Sequence, residues 1–328
     1  MRLLTLLLSL AAISQTSATG CYSKLPPQIF SPLIAQKLLA SAQKTQGVPT
    51  TYPQYTTSDT GVWQYFPSDT WTSGFLPATF YALAERATIC PGTMNGTTTA
   101  QWLEFGRTSA TGEIPLEVHT TVGHDVGFLS FPFVDELTMY VRTCSLLGPL
   151  TFHLFFSSRM RANATYARNP ANETALHAVE TFAAALAARF SPIVGCTRSW
   201  DKGDPDDFQV IIDNMMTLEV LFVAADLTGN KTLRQIAVSH ADRTMMNHVR
   251  ADGELLHHPT SPPPRHDHSF PGSSFHLVDY NATTGAVIAR RTVQGYSNSS
   301  TWSRGQAWGV YGFANSTAII SLSHAAVC

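Results

Sequence analysis

Apolar residues recur at helical spacing along most of the chain, and turn residues separate the periodic stretches. In one such stretch Met215, Leu218, Phe222 and Ala225 follow one another at intervals of three or four, the spacing of a helix face. The same periodicity, with its start and stop residues, predicts helices over residues 27–46, 71–88, 171–190, 214–227 and 232–249.

Strand patterns are short and lie between the helices. Residues 274–279 and 287–292 flank a turn over residues 281–285, which predicts a β-hairpin. No regular alternation of strand and helix indicates a parallel sheet. The pattern therefore predicts an all-α toroid built from helical hairpins, and we expect residues 19–328 to form a single domain.

The N-terminus predicts a secreted protein. Arg2 precedes an apolar run from Leu3 to about Ile13, and small residues ending at Ala18 follow it. This is the pattern of a signal peptide, here residues 1–18, and the run is shorter than the ~20 apolar residues that cross a bilayer. No later stretch reaches that length without a charge, so we predict no membrane association.

The charge balance narrows the choice of partners. Lys and Arg number 21 against 23 Asp and Glu, so the formal net charge is −2. Nucleic-acid binding, which needs a basic surface, is therefore not expected. Charged residues are only 13% of the chain, which fits a secreted glycoprotein better than a cytosolic protein. Seven Asn-x-Ser/Thr sequons could accept glycans: Asn95, Asn163, Asn172, Asn230, Asn281, Asn298 and Asn315.

Neither the cysteines nor the histidines predict a metal or another cofactor. The cysteines are widely spaced and odd in number, so at least one is unpaired: Cys21, Cys90, Cys144, Cys196 and Cys328. His257, His258, His266 and His268 crowd a proline-rich stretch, but their spacing matches no zinc motif. No Gly-x-Ser-x-Gly motif indicates a nucleophilic serine.

Two segments do not fit the helical plan. Residues 254–272 contain three consecutive prolines without periodicity, and residues 129–160 are apolar and irregular. We expect residues 254–272 to be a mobile surface excursion without metal.

Two aspartates at loop–helix junctions are candidate catalytic acids. Asp125 lies in His-Asp-Val-Gly-Phe, and Asp213 begins the predicted helix at residue 214. Two carboxylates that face one cavity suit acid–base chemistry on a sugar. From the pattern alone, the alternatives are a helix N-cap for Asp213 and a turn carboxylate for Asp125.

Aromatic residues near these acids are candidate sugar platforms. Trp71 lies in Trp-Thr-Ser-Gly-Phe, and Trp302 and Trp308 bracket Arg304. Indole faces stack on sugar rings, and a guanidinium pairs with a carboxylate. The alternative is that these aromatic residues belong to the core.

Five motifs in order resemble the unsaturated glucuronyl hydrolases of glycoside hydrolase family 88. They are Trp-Thr-Ser-Gly-Phe from residue 71, His-Asp-Val-Gly-Phe from 124, Asp-Asn-Met-Met from 213, the run from His240 to Gly253, and Gln-Gly-Tyr-Ser from 294 with Trp-Ser-Arg-Gly-Gln-Ala-Trp from 302. The resemblance extends from about residue 25 to 313. It implies an (α/α)6 barrel, six helical hairpins around a central cavity.

The resemblance also implies residue roles. It makes Asp213 the acid/base and Asp125 its assistant. The positions that match the family's sugar site are Trp71, His276, Gln294, Arg304 and Trp308, and we add His124 to these substrate-binding candidates. The expected partner is an oligosaccharide that carries a 4,5-unsaturated uronate, which the enzyme hydrates at the C4=C5 bond; no cofactor takes part. The oligomeric state is not predicted.

The resemblance leaves alternatives open. Family members usually continue for several helices beyond the stretch that ends at Phe313, so we expect an incomplete barrel of low stability. Translated intron or an imperfect gene model would account for this end and for the two atypical segments. The alternatives for function are an unsaturated rhamnogalacturonyl hydrolase and a catalytically impaired sugar-binding remnant.

Overall fold

A computed structural model describes residues 26–43, 47–138, 172–201, 206–250 and 272–325, the last nine of these for the backbone only. The expected signal peptide, residues 1–18, lies outside the described residues. So does the proline-rich segment 254–272, apart from Gly272, and its predicted mobility remains a prediction.

The first part of the described chain is mostly helical. Its elements are α1 (Leu33–Ala42), β1 (Thr51–Thr56), β2 (Trp63–Pro67), α2 (Phe75–Ile89), α3 (Thr99–Ala110), α4 (Val126–Leu129) and α5 (Phe131–Thr138). Apolar residues of α1, α2 and α3 form one cluster, in which Phe80 stacks on Trp102. This cluster holds helix α2, which begins four residues after Trp71.

The second part places a long helix at the centre. Its elements are α6 (Glu173–Ala187), β3 (Phe190–Ser191), β4 (Cys196–Thr197), β5 (Asp207–Ile211), α7 (Asn214–Thr228), α8 (Lys231–His248), β6 (Leu277–Asn281), β7 (Val287–Arg291) and α9 (Ser303–Ala325). Helix α7 packs against α4, α6, α8 and α9.

The strands within the described ranges form three small antiparallel sheets, β1–β2, β3–β4 and β5–β6–β7. The predicted hairpin around residues 281–285 is confirmed as β6 and β7, while β5 joins it as a third strand that the sequence did not reveal. In this sheet Ile211 pairs with Leu277, and the backbone N–H of Ile212 donates to the carbonyl of His276 at 2.8 Å. The sheet therefore brings Asp213 and His276 together.

Helix α7 is buried on every side from Asn214 to Ala225. Two glycines let other elements reach its backbone. A Cβ on Gly127 of α4 would lie 2.1 Å from the Cβ of Thr217, and a Cβ on Gly312 of α9 would lie 2.5 Å from the carbonyl oxygen of Met215. Both distances are far inside van der Waals contact, so any larger side chain would push these helices apart.

The five predicted helices are present, although the first is shorter than expected: a 3₁₀ turn over Pro27–Phe30 precedes α1. Sequence reasoning missed α3, α5 and α9. The start of α3 carries a capping box, in which Thr98 and Gln101 each accept from the other's backbone N–H. Helix α9 contains several glycines, which lower helix propensity and hid it.

The atypical segment 129–160 begins regularly. Leu129 ends α4, and α5 buries Phe133, Val134 and Leu137 in the main core. The rest of that segment, residues 139–160, lies outside the described residues. Within the described ranges, no helix has the length and apolar character needed to cross a membrane, and Cys90 and Cys196 are free thiols.

We predict that Gly127→Ala destabilises the protein by about 3 kcal/mol or more, at the upper end of overpacking costs, because the added methyl group meets Thr217. Gly92→Ala is the matched control: its Cβ would have no neighbour within 4 Å, so we expect a change within about 0.5 kcal/mol. Denaturant unfolding measures both. Equal stability of the two variants would show that α4 and α7 can separate without cost.

Candidate active site

Two buried acids form the floor of the candidate site. Asp213 follows strand β5 and immediately precedes α7, while Asp125 ends the 3₁₀ turn Gly123–Asp125 just before α4. The close contact between Gly127 and Thr217 holds these two helix starts together. The structure thus places the two predicted catalytic residues near each other. The contact that does so is made by Gly127 and Thr217, not by the two aspartates.

Asp213 does not serve as a helix cap. Its side chain is 7% exposed and accepts no hydrogen bond from the N-terminal turn of α7. Its Oδ2 atom is buried without a hydrogen-bond partner among the described residues. Burial, and secondarily the charge of Asp125, raise the pKa of Asp213 to about 8. The carboxyl is therefore mostly protonated at neutral pH and has a free oxygen.

Asp125 is also a weak acid in this setting. Burial raises its pKa to about 7, and the positive charge of Arg189 acts in the opposite direction. The side chain is 22% exposed, so it reaches solvent while Asp213 does not. Two neighbouring carboxyls with pKa values displaced toward neutrality are typical of acid–base sites.

His124 lies behind Asp125. Its Nδ1 atom is 2.9 Å from the carbonyl oxygen of Ser199, so Nδ1 carries the proton and donates. Burial lowers the pKa of His124 to about 3, which leaves Nε2 with a lone pair. This nitrogen lies 3.1 Å from Oδ1 of Asp125, in close contact with it but without a hydrogen-bond partner among the described residues.

Ser199 connects the loops of both acids. Its carbonyl binds His124, next to Asp125, while its hydroxyl donates to Oδ1 of Asn214, next to Asp213, at 2.8 Å. The same hydroxyl accepts from the backbone N–H of Ile211 at 2.8 Å. The amide of Asn214 in turn donates to the carbonyl and hydroxyl of Thr197. These buried bonds fix the position of one acid relative to the other.

His276 faces the free oxygen of Asp213. The backbone N–H of Val293 donates to Nδ1 of His276 at 3.3 Å, so Nε2 carries the proton of the neutral ring. Burial and the charge of Arg304 lower the pKa of His276 to about 4. Nε2 lies 3.7 Å from Oδ2 of Asp213, too far for a hydrogen bond. The Nε2–H group of His276 therefore lies beside Asp213 as a donor that has no hydrogen-bond partner among the described residues.

Aromatic rings form the wall above the acids. Trp71 packs edge-on against Trp308, with ring centroids 5.9 Å apart, and Trp302 also packs edge-on against Trp308 at 5.7 Å. The guanidinium of Arg304 lies 4.5 Å from the centroid of Trp302 and 5.3 Å from that of Trp308, and it donates to Gln294 at 3.2 Å. The wall thus carries a solvent-exposed positive charge at a fixed position.

The structure brings the predicted site residues together. His124 is 4% exposed, with Nδ1 against the carbonyl of Ser199 and Nε2 beside Asp125, and its predicted role in binding substrate stays a prediction. Sequence reasoning missed Trp200, whose ring packs edge-on against His276 at 5.7 Å, and it missed Ser199. Ser199 and Trp200 are adjacent, but no helical or strand periodicity marks them.

The described residues contain no group of three or more His, Cys, Asp or Glu side chains arranged to hold a metal ion. The four histidines of the proline-rich segment lie outside the described residues, so the expectation that this segment binds no metal remains a prediction.

Comparison with known proteins finds hydrolases of unsaturated sugars among the relatives. The chain is 35% identical over 150 residues to an unsaturated glucuronyl hydrolase of Formosa agariphila, a match that covers 45% of this chain and 33% of the relative. It is 33% identical over 139 residues to an unsaturated chondroitin disaccharide hydrolase of Streptococcus agalactiae, covering 42% of this chain and 30% of the relative. The alignments thus span about a third of these relatives. No family model matches the chain.

Solved structures agree with the sequence matches. An unsaturated glucuronyl hydrolase specific for heparin is 27% identical with a TM-score of 0.63, covering 87% of this chain and 60% of its own. The enzyme from Bacillus sp. GL1 has a TM-score of 0.60 at 22% identity, covering 87% of this chain and 63% of its own. A variant of the Streptococcus agalactiae enzyme, with a TM-score of 0.51 at 21% identity over 88% of this chain and 57% of its own, was solved in complex with dGlcA-GalNAc6S.

These neighbours are (α/α)6 barrels, and the described helices follow the same plan over the aligned part, so the predicted fold is confirmed. The chain is thus similar to unsaturated glucuronyl hydrolases, in sequence over less than half of its length and in fold over most of it.

Proposed function

We propose that the protein is an unsaturated glucuronyl hydrolase, which removes 4,5-unsaturated glucuronic acid from lyase-generated oligosaccharides by hydrating the C4=C5 bond. The observation that carries this proposal is the protonated, unpartnered carboxyl of Asp213 beside Asp125, beneath a wall that presents Arg304. The relatives that the chain matches are named for this activity or for the hydrolysis of unsaturated chondroitin disaccharides.

The first step uses the proton of Asp213. The C4=C5 double bond and the ring oxygen of the substrate form an enol ether, which takes a proton at C4 and leaves a cation at C5 that the ring oxygen stabilises. A carboxyl with a pKa near 8 still holds its proton at neutral pH and is a general acid at that pH. The free Oδ2 atom of Asp213 would donate this proton.

The second step adds water. Once Asp213 has lost its proton, its carboxylate removes a proton from a water molecule that attacks C5. Asp125, which reaches solvent, holds that water on the other side. The product is a hemiketal at C5, which opens the ring; the hemiacetal left at C1 then expels the remaining glycan as an alcohol. His276, with a proton on Nε2, would bind a substrate oxygen beside Asp213.

The aromatic wall accounts for the selection of a uronate. The guanidinium of Arg304 is stacked on indoles and bound to Gln294 with one edge, so it retains N–H donors for the carboxylate at C5. Trp71, Trp308 and Trp200 offer ring surfaces at the sides. The complex of the streptococcal neighbour with dGlcA-GalNAc6S supports a substrate of this class.

Secretion is part of the proposal. It rests on the signal-peptide pattern of residues 1–18 and on sequons whose asparagines are exposed, namely Asn95, Asn230 and Asn298. N-terminal sequencing of the protein from the medium of its natural host tests it: a start near residue 19 supports secretion, and retention of the full protein inside the cell contradicts it.

We predict that Asp213→Asn lowers turnover by about 10²–10⁴-fold, since the amide can neither protonate C4 nor accept a proton from water. Asp226→Asn is the matched control, because Asp226 lies on the same helix, is 42% exposed and faces Arg234 at the surface. Loss of the unsaturated chromophore in lyase-generated disaccharides measures turnover. Full activity of Asp213→Asn would remove Asp213 from the mechanism, and turnover of pectin-derived disaccharides alone would indicate the rhamnogalacturonyl alternative.

We also predict that Asp213→Asn is more stable than the wild type at pH 8 and that the difference shrinks toward pH 4. The folded protein keeps the proton of Asp213 up to about pH 8, whereas the unfolded chain releases it near its ordinary pKa of 3.8. Rising pH therefore lowers the free energy of unfolding of the wild type by up to about 1.4 kcal/mol per pH unit. The amide of the variant does not titrate, so the variant lacks this loss. Denaturant unfolding from pH 4 to 8 measures the gap; a constant gap would mean that Asp213 is ionised in the folded state.

A further inference from the structure

Arg189 is a mostly buried cation beside the turn that carries Asp125, and the sequence motifs do not include it. It lies two residues after the end of helix α6, and its side chain is 16% exposed. Its guanidinium donates from Nε to the carbonyl of Arg198 at 2.8 Å and from Nη2 to the carbonyl of Ser199 at 3.1 Å. His124 binds the same carbonyl of Ser199, so Arg189 belongs to the hydrogen-bonded cluster that positions the acids.

The turn Gly123–Asp125 lies against this guanidinium. Gly123 begins the turn with a φ of +66°, and a Cβ at its position would be 3.8 Å from Cζ, Nη1 and Nη2 of Arg189. The cation is therefore in van der Waals contact with the first residue of the turn that ends at Asp125. Because little water reaches the guanidinium, its charge acts on the turn with weak screening.

Two neighbours act on the proton of Asp125 in opposite directions. Nε2 of His124 carries a lone pair 3.1 Å from Oδ1 of Asp125, and a lone pair at this distance disfavours the charged carboxylate. Arg189 favours the carboxylate. Burial raises the pKa of Asp125 to about 7 although Arg189 lowers it, so the charge of Arg189 decides how much of Asp125 is ionised near neutral pH.

Asp213 responds to a different cation. Burial and then the charge of Asp125 raise the pKa of Asp213, while Arg304 lowers it. His276 also faces Asp213, but burial lowers the pKa of His276 to about 4, so its ring is neutral at pH 7. In the proposed complex the substrate carboxylate pairs with Arg304 and neutralises it. Arg189 is bound to protein groups instead, so its effect on the acids persists when substrate binds.

We propose that Arg189 is a positioning residue for the proton that the two acids share. Its charge favours the ionised form of Asp125, so that the proton resides on Asp213, whose Oδ2 atom can give it to C4. The ionised Asp125 is then an acceptor for the water that attacks C5. The inference rests on the proposed function, because it takes C4 of the unsaturated ring to receive the proton of Asp213.

The pH dependence of kcat/KM for an unsaturated disaccharide tests the proposal in Arg189→Gln and Arg189→Lys. Both variants lose the guanidinium that binds two carbonyls, but only Gln removes the charge. We expect Arg189→Gln to move the acidic limb of the profile, which lies near pH 7 in the wild type, up by about one pH unit, the lower end of the range for a cation beside a carboxyl. At pH 6 this is a further loss of about tenfold relative to the optimum. Arg189→Lys should keep the limb of the wild type.

Asp201→Asn should move the same limb in the opposite direction. Asp201 is 62% exposed, and its carboxylate accepts from Nη2 of Arg189 at 2.8 and 2.9 Å, so it partly neutralises the guanidinium. Without this charge Arg189 acts more strongly on Asp125, and the limb shifts to lower pH. The shift should be smaller than in Arg189→Gln, because solvent screens an exposed carboxylate. If Arg189→Gln does not fold, Asp201→Asn decides, and an unmoved limb in Asp201→Asn refutes the proposal.

The outcomes separate this inference from the proposed function. An equal loss of kcat/KM in Arg189→Gln and Arg189→Lys, with both limbs unmoved, would show that Arg189 only holds carbonyls, while the proposed function stands. If the wild type turns over no unsaturated disaccharide, the proposed function fails, and carbon-13 NMR titration of the aspartate carboxyls decides, with Asp125→Asn to assign the signal. A midpoint of Asp125 that rises in Arg189→Gln but not in Arg189→Lys supports the role of Arg189, and equal midpoints refute it.

Discussion

Ser199 makes the interaction on which the geometry of the acids depends. Its carbonyl fixes the tautomer of His124 behind Asp125, and its hydroxyl binds Asn214 beside Asp213. One small residue thereby sets the positions of two carboxyls that are far apart in sequence. Because these bonds are buried, water cannot replace them, and leaving one partner unsatisfied costs about 1–3 kcal/mol. The raised pKa values require this rigidity, since a mobile Asp213 would reach solvent and ionise.

Close approaches between backbones explain three glycines in or beside the sequence motifs. Gly127 and Gly312 stand where α4 and α9 meet the α7 backbone, and Gly74 lies where a Cβ would be 2.1 Å from the carbonyl oxygen of Phe128. Gly127 and Gly74, which lie near Asp125 and Trp71 in the motifs, therefore serve packing and not catalysis. In the motif around Asp125, the acid and the close contact that places it occupy neighbouring residues.

Much of the site was predictable because its residues lie at boundaries between elements. Asp213 begins a periodic helix, and Trp71 precedes another, so local patterns marked both. Local sequence patterns do not reveal contacts between residues that are far apart in the chain. Strand β5, Ser199 and Trp200 fall in a stretch whose contacts are set by residues far along the chain, and the bond between His124 and Ser199 is likewise invisible to local patterns.

The pairing of β5 with β6 also has a kinetic consequence. Asp207 pairs with Asn281, and the segment between them includes α7 and α8. Closing so long a loop costs conformational entropy before the contacts between the two strands contribute any favourable free energy. Such pairings therefore form slowly. The contact between Asp213 and His276 exists only when this loop is closed. Catalytic competence should therefore appear late in refolding, after most helices have already formed.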